Sequence, residues 1–417
     1  MRNGPFWWIL IIIMVLIDLY VFFSIRSLFV TGGRGRLWYT AGYWTLSALA
    51  LAIVVLLPLI EFNEQHKLLR ATIFIFAFAL FMGKLVAALF FFADDIRRSV
   101  QWIAGRLFST NNEISEIAGV SGDRISRSSF LTWVGIAAGG GLFSSFLYGL
   151  TNKYNYQVKN VKMSFSNLPS AFKGLKIVHI SDIHTGSFTN FKAVNRGVDL
   201  ILKQNADVIL FTGDLVNNKS EEVGEYQKAF GRLKAPLGVY STLGNHDYGD
   251  YAKWESPQAK SENLEALKNI HAQMGWRLML DEHLPLEKNG EQIGLIGVQN
   301  ISGKGGFHSY GSLAKATSGA ENYPFKILMS HDPSHWDAEV TNAHKHIDLT
   351  LSGHTHGMQF GVEIPGFRWS PVQYVYKHWA GLYEQDNQKL YVNRGFGFIG
   401  YPGRVGILPE ITVIELA

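Results

Sequence analysis

IDLTLSGHTHGMQF, residues Ile347–Phe360, runs from a strand-length apolar segment straight into two histidines, His354 and His356, set between glycines. A short apolar run that stops in a turn is the pattern of a buried strand rather than of a helix, which needs ten residues or more. Residues i and i+2 of an extended segment point to the same side, and glycine lets backbone come close to a neighbour. Both imidazoles can therefore serve one site. A metal is one candidate for what they hold, and a solvated loop is the other.

The same design recurs through the second half of the chain. GLKIVHISDIH (Gly174–His184), ADVILFTGDLV (Ala206–Val216), GVYSTLGNHDY (Gly238–Tyr248), QIGLIGVQN (Gln292–Asn300) and FKILMSHDP (Phe325–Pro333) are each an apolar run that ends in a small polar cluster. Between the first two lies NFKAVNRGVDLILKQN (Asn190–Asn205), whose apolar spacing fits an amphipathic helix. The region therefore opens as a strand, a crossover helix and a second, parallel strand. Weaker helical spacers further on predict mixed rather than wholly parallel sheets. The Gly-rich stretch Ile301–Tyr323 is too long for a plain connection and reads as a lid or surface excursion.

Taken in order, the clusters supply Asp182 and His184, Asp214, Asn245 and His246, His331, then His354 and His356. These are oxygen and nitrogen donors, and the chain has no cysteine to form a disulfide or a thiolate ligand. Such a donor set suits Mn²⁺, Fe or Zn²⁺. A carboxylate bridging two cations is what a two-metal hydrolytic site needs, because the pair can activate water and neutralise phosphate oxygens together. One histidine alone reads as a core or loop residue; clusters at the ends of successive strands do not.

The first half of the chain is different in kind. The stretches at about 6–25, 41–60, 71–93 and 130–150 are nearly free of charge and long enough to cross a bilayer core of roughly 30 Å. The domains expected are thus residues 1–153, a transmembrane region of four helices, and residues 154–417, a soluble domain. Eight arginines flank the first and third spans on one side (Arg26, Arg34, Arg36, Arg97, Arg98, Arg106, Arg124, Arg127), against Arg2, Lys67 and Arg70 on the other. Basic residues stay in the cytoplasm, so the soluble domain is expected on the extracytoplasmic face. The run SRSSFLTWVGIAAGG (Ser126–Gly140) resembles a twin-arginine export signal, with Ser128 standing where the second arginine belongs. Asp18 and Lys84 lie at similar depths within the spans and are expected to pair. The net charge of +4 selects no particular partner, and none of these features points to nucleic acid.

In order, the blocks D-x-H, G-D, G-N-H-D, H and G-H-x-H resemble the calcineurin-like metallophosphoesterase superfamily, over about Leu175 to Leu416. SDIHTG, LSGHTHGMQ and the ending RVGILPEITVIEL are most similar to its membrane-associated branch, which includes the YkuE-type phosphoesterases and a UDP-2,3-diacylglucosamine hydrolase. The resemblance implies an α/β fold, a four-layer αββα sandwich with two mixed sheets and metals at strand ends. It implies that Asp182, His184 and His356 hold one divalent ion, that Asn245, His331 and His354 hold a second, and that Asp214 bridges them. It gives His246 a place over the phosphate, with Asp247 as an orienting carboxylate. Asn217 departs from the family, which usually has an aspartate there, and GVQN, Gly297–Asn300, stands where relatives tend to carry acidic residues. Arg394 and Arg404, after glycine-rich turns, are candidates for a substrate phosphate.

The expected function is a membrane-anchored two-metal phosphoesterase of a bacterial cell membrane, cleaving a phosphomonoester or phosphodiester by attack of metal-bound hydroxide. A lipid-linked or envelope substrate suits the anchor. Two alternatives stand beside it: UDP-2,3-diacylglucosamine pyrophosphate hydrolysis if the domain is cytoplasmic, and a catalytically silent metal-binding receptor.

Overall fold

The computed structural model describes residues 5–28, 33–57, 60, 67–108 and 127–417. They form two compact units, Met1–Tyr148 and Gly149–Ala417.

The first unit is helical. Helices α1 (Pro5–Arg26), α2 (Arg34–Leu56), α3 (Lys67–Phe108) and α4 (Arg127–Gly149) are each long and apolar enough to cross a membrane. Large side chains such as Trp8, Phe23, Leu49 and Phe92 remain exposed on their outer faces. Water would penalise that surface and a bilayer would not. Helix α3 is much longer than the apolar stretch at 71–93. It continues because the charges beyond Ala93 are satisfied along the helix: Arg97 binds Asp94 one turn earlier at 2.6 Å, and Asp94 also accepts from the Ser128 hydroxyl at 2.5 Å. Hydropathy marks where a helix is apolar, not where it stops. Arg2, Arg124 and the rest of the loop at 109–126 fall outside the described residues.

The expected pair forms. Lys84 Nζ lies 2.5 Å from Asp18 Oδ1 and donates to Ser47 Oγ at 2.6 Å. Ser47 bonds Asp18 at 3.1 Å, and the Tyr43 hydroxyl donates to the Asp18 carbonyl at 2.8 Å. Three helices thus share one closed polar cluster in an apolar interior.

The second unit holds two six-stranded sheets. The first is ordered β1 (Gln157–Met163), β14 (Glu410–Leu416), β2 (Lys176–Ile180), β3 (Val208–Phe211), β4 (Val239–Ser241), β5 (Arg277–Leu278). The second is ordered β12 (Gly381–Gln385), β13 (Gln388–Val392), β9 (Leu349–Ser352), β8 (Lys326–Met329), β7 (Glu291–Gly297), β6 (Glu282–Lys288). A small ribbon pairs β10 (Val362–Ile364) with β11 (Phe367–Trp369). Both sheets are mixed: β2 to β5 run parallel while β14 opposes β2, and β7, β8, β9 and β13 run parallel between antiparallel edges.

The strands read as unbroken apolar runs because both faces are covered. Ile177, Val208 and Leu210 of the first sheet meet Ile327, Met329, Leu349 and Leu351 of the second in a shared core. Their neighbours Val178, Ile180, Ile209 and Phe211 turn the other way, onto Val194, Val198 and Ile201 of helix α5 (Phe191–Leu202). Asn190 caps that helix by accepting from the Ala193 amide at 3.0 Å. Each fully buried Val, Leu or Ile contributes roughly 1.5–3 kcal/mol. The sandwich therefore holds β2, β3, β4, β8 and β9 rigidly, and the polar clusters follow the C-terminal ends of those strands.

Candidate metal centre

Four motifs fold against one another through backbone groups. The Asp182 amide donates to the Gly213 carbonyl at 2.9 Å and the His184 amide to the Asp214 carbonyl at 3.1 Å. Both Asp182 oxygens accept from the His354 amide, at 3.0 and 2.9 Å, and Asp214 Oδ1 accepts from the His246 amide at 2.9 Å. The motif glycines make this approach possible. A Cβ on Gly353 would lie 2.1 Å from Asp182 Oδ2, and one on Gly244 would lie 2.2 Å from Asp214 Oδ1. Asp182, His184, Asp214, His354 and His356 all adopt left-handed backbone, with φ of 52°, 51°, 62°, 71° and 50°. For a residue with a Cβ this conformation is costly, and such strain concentrates at functional sites.

The result is two groups of donors. Asp182, His184 and His356 place ligand atoms within 4.8 Å of one another, and so do Asp214, His331 and His354. Asn245 joins the second: its Oδ1 is 2.8 Å from His354 Nδ1 and 3.1 Å from His331 Nε2. Asp214 Oδ2 faces both groups, 3.5 Å from His184 Nε2 and 3.1 Å from His331 Nε2. All the sequence-read ligand candidates are therefore gathered in one place.

These residues fit cations. His184 Nε2 and His356 Nε2 face each other at 3.1 Å, and His354 Nδ1 faces His331 Nε2 at 3.2 Å. Ring nitrogens gathered this closely can share one cation in place of a proton. Burial pushes His184 down to about 3, and burial likewise lowers His354 and His356, so these rings are neutral and available as ligands. Burial also works against a charged His331, but Asp214 outweighs it and holds that imidazole up at about 10. Burial opposes the Asp214 carboxylate in turn, and His331 and His246 hold it well below the usual range. The proton on His331 stands where a cation would balance Asp214. Second bonds fix the ring orientations: His331 Nδ1 sits 2.7 Å from the Thr212 carbonyl, and His354 Nε2 sits 2.8 Å from the Tyr376 hydroxyl. That leaves His331 Nε2 and His354 Nδ1 pointing inward.

His246 belongs to the same cluster and remains half exposed. Its ring lies 5.0 Å from that of His184 and 4.6 Å from that of Tyr251. Its orienting partner is not Asp247. His246 Nδ1 meets the Asn217 backbone carbonyl at 2.8 Å. Asp247 is fully buried and instead accepts from the amides of Asp214 (2.8 Å), Leu215 (2.8 Å) and Gly244 (2.9 Å). Asp247 thus fixes the turn that carries Asp214. The Asn217 side chain, replacing the family's aspartate, bonds Ser187 at 3.1 Å.

The two arginines are corrections of a stronger kind. Arg394 and Arg404 are 3% and 0% exposed. Arg394 is held between Glu410 and Glu363, the latter at 2.8 Å. Arg404 donates to the carbonyls of Arg394 (2.7 Å), Gly395 (3.2 Å) and Gly397. Only the Nε of each lacks a partner, and both guanidiniums are buried away from a substrate phosphate. Their turns fold inward because a buried carboxylate, Glu410 on β14, demands a counter-charge. Sequence reading gave no sign of Tyr376 or Tyr251, and it marked 301–323 as a lid or surface excursion without showing that its 301–310 strap reaches the site. Its Phe307 ring packs against His354 with centroids 4.9 Å apart. Only the glycine-rich length of that stretch gave a signal.

Residues 175–358 match the family described as Calcineurin-like phosphoesterase, and residues 1–153 match Probable Calcineurin-like phosphoesterase, transmembrane domain. The chain is 30% identical over 277 residues to Transmembrane protein with metallophosphoesterase domain of Danio rerio, covering 65% of this chain and 60% of that protein. It is 27% identical over 302 residues to the metallophosphoesterase YkuE of Bacillus subtilis, covering 70% of this chain and 98% of that protein. The same organism's metallophosphoesterase YkoQ is 27% identical over 283 residues, covering 66% and 96%.

Proposed function

Since residues 175–358 belong to the calcineurin-like phosphoesterases and residues 1–153 to their transmembrane domain family, we propose that this membrane protein hydrolyses a phosphomonoester or phosphodiester at a centre of two divalent cations. The observation that carries this reading is Asp214 Oδ2, one carboxylate oxygen facing both donor groups. Asp182, His184 and His356 would hold one ion, Asn245, His331 and His354 the other, with Asp214 between them. The nitrogen and oxygen donors favour Mn²⁺, Fe or Zn²⁺. Bound there, the ions would neutralise phosphate oxygens and make water a better nucleophile.

The protein's own groups do the rest. His246 is tethered through Nδ1 to the Asn217 carbonyl, which leaves Nε2 to carry a proton to the departing oxygen. Asp247 holds the amides of Asp214 and Leu215 in place, so that the bridging carboxylate cannot swing away. In this reading residues 1–153 anchor the chain and residues 154–417 perform the chemistry. The arginine-rich flanks support a catalytic domain outside the cytoplasm, where a lipid-linked or envelope phosphoester would be the substrate class at hand.

The test is release of product by detergent-purified full-length protein from a panel of phosphoesters and lipid-linked nucleotides, after chelation and again after adding Mn²⁺. Metal-dependent turnover is expected. Bound metal with no turnover on any ester would favour a silent receptor. A reporter fused after Ala417 should lie outside the cytoplasm, and the opposite result would bring forward the UDP-lipid hydrolase.

A further inference from the structure

With Arg394 and Arg404 locked in the interior, the charge that greets a substrate must come from elsewhere. The strap that follows β7 brings a candidate to the site. Its base is fastened by the Ser302 hydroxyl to Asp332 Oδ2 at 2.6 Å and by the Gly303 amide to Ser334 Oγ at 2.9 Å. Its far end is fastened by Tyr310, which stacks on Tyr248 with centroids 3.7 Å apart and donates to Asp250 at 2.8 Å. Between these anchors Phe307 rests on His354, and Lys304 Nζ stands 4.8 Å from the centre of the Tyr376 ring.

Tyr376 connects this lysine to the metal centre, because its hydroxyl is 2.8 Å from His354 Nε2. Lys304 and Tyr376 also line a pocket of about 310 Å³, together with Gly303, Ser334 and Lys377. The one carboxylate lining that pocket, Asp337, is already engaged, by Lys377 at 3.4 Å and His378 at 2.9 Å. Lys304 has no carboxylate partner among the described residues. A half-buried ammonium held in place on an aromatic face, at the wall of a pocket it shares with Lys377 and Ser334, is suited to an anion.

We propose that Lys304 is a specificity-determining residue that holds a second phosphate of the substrate in this pocket, while the first sits at the centre. The inference rests on the phosphoesterase reading. It narrows the substrate class to esters with two phosphates separated by a spacer. The width of the Tyr376 side chain lies between Lys304 and His354, a gap that a sugar ring spans and a bare pyrophosphate bridge does not.

The experiment compares glucose 1,6-bisphosphate with glucose 6-phosphate, using full-length detergent-purified protein loaded with Mn²⁺. Turnover and calorimetric binding are measured for wild type, Lys304→Ala and Lys304→Arg. The bisphosphate should bind wild type at least about tenfold more tightly, as a charge-assisted contact allows. Lys304→Ala should raise KM for the bisphosphate about tenfold more than for the monophosphate, with kcat little changed, and Lys304→Arg should keep most of the preference. Equal changes for both sugars, or no preference in the wild type, overturn the proposal. Lys304-dependent binding without turnover would leave the anion site standing and remove the phosphoesterase reading. Turnover indifferent to Lys304 would do the reverse.

Discussion

Each unit buries charge, and the two do so in opposite ways. In the helical unit Asp18, Ser47, Lys84 and Tyr43 satisfy one another: both hydroxyls meet an acceptor and the positive charge meets the negative. In the other unit ligand nitrogens face ligand nitrogens, and carboxylates crowd rings that burial keeps neutral. A closed polar cluster in an apolar interior holds a fold together. An open one, with left-handed backbone at Asp182, His184, Asp214, His354 and His356, is stable only because the sandwich beneath it is rigid, and it is poised for cations.

The contrast is most exposed to attack at Asp214. Asp214→Asn removes the charge from between the two donor groups, so metal content and turnover should both collapse, turnover by more than about 10⁴-fold. This is the largest effect expected, because bridging and charge are lost together. Metal analysis giving two ions per chain alongside normal turnover would refute it. His246→Ala tests the same cluster without touching a ligand. Metal content and fold should persist while kcat and kcat/KM fall together by about 10² to 10⁴, the contribution of a positioned proton donor. Loss of metal in this variant would show that His246 is a ligand after all.

Two further variants probe closed clusters. Arg394→Met leaves Glu410 buried without its counter-charge, and breaking such a pair costs about 3–5 kcal/mol. Denaturant unfolding should report that loss, while whatever remains folded keeps its KM; a raised KM with unchanged stability would restore the substrate-binding role. In the helical unit, Lys84→Met strands Asp18 among apolar helices at a cost of about 2.5–3.5 kcal/mol. Exchanging the two charges, Asp18→Lys with Lys84→Asp, should recover expression and thermal stability in detergent. If the exchange fails like the single variant, the pair is not what holds these helices.

The smallest effect concerns pH. His331 is held at about 10 by Asp214 in the metal-free site, so between pH 6 and 8 a cation entering that group must displace a proton. Metal affinity should therefore rise with pH, by about tenfold per unit for one proton released. Calorimetric titrations in buffers of different ionisation enthalpy would count that proton. An affinity flat with pH would show that His331 carries no proton there.

Much of this was legible before any tertiary contact was known. Apolar runs ending in Asp, His and Asn clusters identify strands and the residues they deliver, because burial on both faces keeps most positions inside a strand apolar, with buried His179 and Thr350 among the exceptions. Uninterrupted hydropathy identifies the membrane helices, since a bilayer imposes a length. Asp18 and Lys84 could be paired by depth alone. Other features were beyond reach. Which way Arg394 and Arg404 turn depends on Glu410 and, for Arg394, also on Glu363, 31 residues before it. Asp247 sits beside His246 in sequence yet serves the Asp214 turn, 33 residues away. Local composition is the same whether a side chain points to solvent or inward, and a hydrogen bond depends on distance and angle set by other segments. The sequence by itself determined the donor set and the division into a membrane part and an α/β part. Only the tertiary structure, joining Asp182 to His354 across 172 residues, decided which carboxylate faces both groups and which arginines are buried away from the surface, because those depend on where rigid strands come to rest against one another.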